Sequence, residues 1–132
     1  MNKENFTILN KLANAVYDKK GRNILGLDLE NISSIADTIL IAEGNVERHV
    51  TAIAHHLISE MKEIGQAPVL VEGIKDGDWV VIDFGDVHVH LFTPELRERY
   101  QLEHLWENGK LVELDVEKEE SSGVNLRRGE LT

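Results

Sequence analysis

Cysteine is missing altogether from these 132 residues. Its absence excludes a disulfide scaffold, a thiol nucleophile and any thiolate metal site, and it fits a reducing compartment. Long apolar runs are missing too. No stretch approaches the ~18 residues of a membrane span. The start, MNKENFTILNKLANAVYDKK, has neither the apolar core of a secretion signal nor the acid-poor, Arg-rich character of a transit peptide. A cytoplasmic protein without membrane attachment is the expectation. Positive charge is scarce: 14 Lys and Arg stand against 24 Asp and Glu, for a formal net charge of −10. Nucleic-acid phosphates are gripped by dense basic patches, so no direct contact with DNA is expected and a basic protein partner suits the chain better.

What is present reads as one ordinary α/β domain. Chains of this size bury roughly two-thirds of their unfolded surface, so no metal or disulfide staple is needed. Phe6, Leu9, Ala13, Val16 and Tyr17 recur at helical spacing and predict a first helix over residues 5–18. Two short apolar runs, 24–29 and 38–42, read as strands on either side of a polar NISS turn. Val46, Val50, Ile53, Leu57, Met61 and Ile64 then form one continuous seam of a long helix, with Asn45 as its cap and Gly65 as its stop. His49 and His56 flank that seam on one side while His55 points away. Residues 67–71 read as a further strand. Thr93-Pro94-Glu95 opens a last helix with a threonine cap, a proline at the first position and an acid in the first turn. Residues 1–114 are expected to form the domain, and the polar, aperiodic stretch 115–132 a flexible acidic tail.

The densest chemistry lies in DFGDVHVHLF, residues 83–92. With Gly85-Asp86 as a two-residue loop of the II′ kind, residues 79–84 and 87–92 pair as a hairpin in a fixed register. Asp83 then opposes His88, Val81 opposes His90 and Trp79 opposes Phe92. One face carries Val80, Ile82, Phe84, Val87, Val89 and Leu91 and belongs to the core. The other carries Trp79, Val81, Asp83, His88, His90 and Phe92, a mixed surface suited to a partner or ligand. His88, His90 and Asp83 could ligate a metal, but a fourth group is lacking, and a cross-strand Asp83–His88 pair accounts for them. Nucleotidyl transfer would need an acid pair projecting from one strand to hold magnesium beside a Gly-rich turn. Glu43-Gly44-Asn45 supplies a turn into the long helix, yet Asp76 and Asp78 fall in a turn and Asp83 and Asp86 fall on opposite sides of the hairpin bend. No nucleophile set around Ser33, Ser34 or Ser59 is legible. Neither a catalytic residue, nor a metal site, nor a cofactor is expected.

WVVIDFGDVHVHLFTPELRERYQLEHLW, residues 79–106, resembles the signature of the ribosomal silencing factor family, also called Iojap-related proteins. Arg97, Tyr100, Leu102, Glu103, Leu105 and Trp106 fall on its closing pattern. The segment ADTILIAEGNVERHVTAIAHHL is similar to the family's strand, Gly-Asn turn and Arg-His helix. One departure is Glu43, where members usually carry a small hydroxyl residue. The resemblance implies a mixed sheet with helices, in a nucleotidyltransferase-like topology without the catalytic acids. It also implies a protein that acts by binding: it docks on the large ribosomal subunit through ribosomal protein L-fourteen, blocks joining of the small subunit and lowers translation when nutrients are short. A homodimer is implied for the free state. The expected contact residues are the mixed hairpin face and the closing signature: Trp79, Val81, His88, His90, Phe92, Tyr100, Leu102 and Trp106.

Overall fold

The computed structural model describes residues 1–32, 36–101, 104 and 109–116. The first helical pattern forms α1 (Lys3–Asp18), capped by the Asn2 side chain, which accepts from the Asn5 N–H at 2.7 Å. Leu9, Leu12, Ala13 and Val16 turn inward, whereas Phe6 stays exposed, so the buried stripe is rotated away from the predicted one. Strands β1 (Arg22–Asp28) and β2 (Thr38–Glu43) follow, then α2 (Glu47–Glu63), β3 (Leu70–Glu72), β4 (Trp79–Asp83), β5 (Val87–Phe92), α3 (Pro94–Tyr100) and β6 (Lys110–Val112).

The seam of α2 buries Val50, Ile53, Leu57 and Met61, while its outer members Val46 and Ile64 are half exposed. Gly65, at φ 77, closes the helix: its N–H donates to the Lys62 carbonyl and that of Gln66 to the Met61 carbonyl. This is the paired C-terminal motif that favours glycine. The other end departs from expectation. Val46 holds the cap position without a side-chain hydrogen bond, and the Asn45 N–H is taken instead by His49 Nδ1 at 2.8 Å. The imidazole three positions into the helix thus ties down the residue before the cap and leaves the N–H groups of the first turn uncapped by a side chain; Asn45 lies one position ahead of the cap. Thr93 likewise occupies the cap position of α3 without a side-chain cap bond.

The six strands make one mixed sheet in the order β3-β4-β5-β2-β1-β6. Central β2 and β5 run parallel and are buried along their whole length, as a strand covered on both faces must be. The other pairings are antiparallel. The β4–β5 register is the predicted one, from Trp79 opposite Phe92 to Asp83 opposite His88. Gly85 alone in the two-residue loop takes a positive φ, 101°, as the II′ geometry requires.

Helices α1 and α2 cover one face, where Leu40, Ala42, Val80, Ile82, Val89 and Leu91 join them in the main core. On the opposite face a smaller cluster gathers Leu27, Leu29, Ala36, Ile39, Ile41 and Phe92, with Leu25, Trp79 and Leu96 against it. Packing continues beyond residue 114. Leu114 and Val116 sit in the main core, and between them Asp115 is clasped to α1. Its N–H donates to Asn10 Oδ1 at 2.6 Å and its carbonyl accepts from Asn14 Nδ2 at 2.9 Å. The rest of the expected tail, 117–132, lies outside the described residues. Among those residues, no helix is long and apolar enough to cross a membrane.

Candidate functional site: the mixed face of the sheet

Alternation along β4 and β5 puts Trp79, Val81, Asp83, His88, His90 and Phe92 on the face away from α1 and α2. The structure brings Tyr100 to them: α3 leaves the end of β5 and sets the tyrosine ring 5.1 Å from that of Trp79. Trp79 is the hub. Its ring also lies 5.0 Å from Phe92 and 6.2 Å from His90, and its Nε1–H donates to His90 Nδ1 at 3.2 Å. That bond needs an unprotonated Nδ1, so the neutral ring carries its hydrogen on Nε2. Burial, helped by neighbouring His88, lowers the His90 pKa to about 4, which keeps the acceptor in place near neutral pH.

The acids and histidines of the hairpin pair with one another. Asp83 Oδ1 lies 3.2 Å from His88 Nε2 and accepts the Gly85 N–H at 2.7 Å, tying the strand end to its own turn. His49 and His56 are on α2, across the sheet, where His49 Nε2 meets the Lys19 carbonyl at 2.6 Å and His56 Nε2 lies 3.9 Å from Asp18. They cannot complete a metal site with His88 and His90. Among the described residues no group of three or more His, Cys, Asp or Glu could hold a metal ion.

Exposure separates the expected contact residues. Tyr100 is half exposed, and Trp79 and Val81 are partly exposed. His88 and His90 are buried at 9 % exposure each, and Phe92 has no exposed surface at all. Phe92 therefore cannot touch a partner directly. Its ring fills the space under Trp79, because the return of α3 covers the end of β5. Leu102 and Trp106 lie outside the described residues.

A feature absent from the sequence reading fixes α3. Glu43, at the end of β2, is buried and receives Asn23 Nδ2 on Oε1 at 3.0 Å and Arg97 Nη1 on Oε2 at 3.2 Å. The same Arg97 nitrogen donates to the Asn23 carbonyl. Asn23 stands at φ 53 inside an irregularity of β1, so three elements meet at one carboxylate. Glu43 and Arg97 were each conspicuous in the sequence, one as a departure and one as a signature residue. Their meeting, 54 positions apart, could not be read from spacing. The clasp also bears on magnesium chemistry. Ile39 pairs with His88, which opposes Asp83, so Asp83 and Glu43 are separated by four residues along the strands, roughly 13 Å. No acid pair converges beside Gly44 from these two.

Residues 2–128 match the family described as ribosomal silencing factor during starvation. The chain belongs to the ribosomal silencing factor family. A ribosomal silencing factor from Halalkalibacterium halodurans is 43 % identical over 111 residues, covering 84 % of this chain and 95 % of that one. A mouse protein named for mitochondrial assembly of the ribosomal large subunit is 31 % identical over 101 residues, 74 % of this chain and 44 % of the mouse protein. Among solved structures, a crystal structure of a Chromobacterium violaceum protein superposes with a TM-score of 0.74 at 33 % identity, covering 89 % of this chain and 95 % of that one. The mixed α/β fold and its sheet are thus those of silencing-factor relatives.

Proposed function

We propose that this silencing-factor family member binds the large ribosomal subunit through ribosomal protein L-fourteen, and by its bulk keeps the small subunit from joining. Translation falls as a result, and nutrient limitation is the condition under which it acts. The observation that carries this reading is the aromatic group of partly exposed Trp79 and half-exposed Tyr100 on the mixed sheet face, held by His90, Phe92 and the Glu43–Arg97 clasp. Rigid, partly exposed aromatics are the residue types that anchor protein interfaces. The acidic surface suits a basic ribosomal protein and would speed encounter with it. The protein acts by binding and carries out no reaction, since Glu43 and Asp83, the acids nearest a catalytic role, are spent on Arg97, Asn23, His88 and Gly85. When free it forms a homodimer, and it works in the cytoplasm.

Sedimentation tests the reading. Purified protein added to dissociated ribosomal subunits is expected to travel with the large subunit and to deplete the joined ribosome peak. Tyr100→Ala, at an exposed helix end, is expected to lose that effect while keeping its circular dichroism spectrum. Profiles that stay unchanged at saturating wild-type protein would sink the proposal.

A further inference from the structure

A second site lies at the other end of the molecule, where the tip of the β4–β5 hairpin meets the start of α1. A cavity of about 140 Å³ opens there, lined by Glu4, Asn5, Gln66, Phe84 and Asp86, with Ile8 and Val87 as its apolar wall. For scale, an engineered apolar cavity of about 150 Å³ holds benzene. Asn5 is 3 % exposed, and no group among the described residues takes up its carboxamide. Buried polar side chains are nearly always hydrogen-bonded to protein or to ordered water, so a carboxamide that opens only on this cavity marks a place for a bound group. Beyond the cavity wall, Thr38, paired in register with Val87, keeps its hydroxyl buried and without a partner among the described residues.

The lining decides what that group is. Glu4 and Asp86 are exposed at the mouth, and neither forms an ion pair among the described residues. Two free carboxylates repel an anion and attract a cation. The start of α1 opposes them with roughly half a positive charge, but two full charges outweigh it, and the Asn5 N–H is already occupied by Asn2. A bare metal ion would leave Phe84, Ile8 and Val87 without a role. A primary ammonium on an aliphatic stem uses every wall: its three N–H donors suit carboxamide oxygens and carboxylates, its charge suits the face of Phe84, and its methylenes suit Ile8 and Val87. We propose that this cavity binds a primary alkylammonium group, with the carboxamides of Asn5 and Gln66 as acceptors and Glu4 and Asp86 as the charge at its mouth. Such a group has two sources, a free polyamine or the lysine side chain of a partner protein.

The test is an NMR titration of the full chain with n-butylammonium chloride, followed through the side-chain amide signals of Asn5 and Gln66 and the ring of Phe84. Saturable shifts are expected in the millimolar range, as suits one small ligand. n-Butanol at equal concentration is expected to produce none. Asn5→Leu should weaken binding by about tenfold, the usual cost of one lost hydrogen bond to a charged group. Should that variant fail to fold, Glu4→Gln with Asp86→Asn, both at exposed positions, is expected to weaken it roughly threefold. Spermidine and an Nα-acetyl-lysine amide separate the sources: binding by spermidine alone assigns a free amine, and binding by the capped lysine assigns a partner's side chain. Shifts that never saturate, or that n-butanol reproduces, overturn the proposal and leave the cavity to water.

Discussion

The two faces of the sheet are made by the same strands under different rules. Under α1 and α2 the strands present Leu40, Ala42, Val80, Ile82, Val89 and Leu91, an apolar layer held by burial alone. On the other side the same strands present Ile39, Ile41 and Phe92 beside Glu43, Asp83, His88 and His90, each ionisable group with a named partner. Burial is non-directional and tolerates small shifts. Paired polar groups do not, because a buried partner left alone keeps its full desolvation cost. The apolar face therefore stabilises the fold, while the mixed face fixes where its exposed aromatics stand.

Removing a partner on the mixed face is the sharpest way to break this contrast. Arg97→Ala leaves Glu43 buried without its cation, and a loss of about 3–5 kcal/mol in urea denaturation is expected. Loss below about 1 kcal/mol, the range of an exposed pair, would mean that the clasp is not a buried one. On the apolar face, Leu57→Ala should cost about 2–5 kcal/mol by cavity formation, without moving the assigned indole NMR signal of Trp79 on the other side.

Acidification probes the mixed face next, because His90 is a buried titratable group on it. His90 titrates near 6.5 when unfolded and at about 4 when folded. Across that window the unfolded chain takes up a proton that the folded ring refuses. Its contribution is fully present above the unfolded value and is lost as pH falls through the folded one, a change of roughly 3 kcal/mol at most. Denaturation at about pH 7 and about pH 4.5 should show this dependence. His90→Gln, which keeps an acceptor for Trp79 but cannot titrate, should flatten it. A slope unchanged in that variant would place the dependence elsewhere. The smallest effect is expected from Trp79→Phe, which retains the ring packing and loses the bond to His90, at about 0.5–1.5 kcal/mol.

Much of this arrangement was legible in the sequence where local chemistry is decisive. Gly85-Asp86 fixed the hairpin register, and with it the Asp83–His88 pair and the split between apolar and mixed residues. The α2 seam was legible because its period persists over four turns. What escaped depended on distant partners. Asn45 has the chemistry of a cap, but the helix begins one residue later and Val46 takes the cap position. Phe92 sits on the mixed face by alternation, and it is buried in a cluster with Leu27, Ile41, Trp79 and Leu96 that brings distant elements together. Strand β6 spans three residues, too few for a period, and Val116, two residues past the expected boundary at 114, is buried among charges that read as a flexible tail.

The clasp of Asn10 and Asn14 on Asp115 has a consequence for how the chain comes to be folded. Two carboxamides imitate a neighbouring strand for one backbone unit, and they do so across separations of 105 and 101 residues. Strand β6 supplies the last neighbour of β1 over a similar distance. Helix α1 thus waits for a partner made 105 residues after Asn10. A nascent chain halted before residue 110 exposes one side of β1 and leaves Asn10 and Asn14 of α1 without Asp115, and contacts of such long range are slow to close. Folding of this silencing-factor family member is therefore expected to wait for β6, and chains truncated ahead of it should collect in the aggregated fraction.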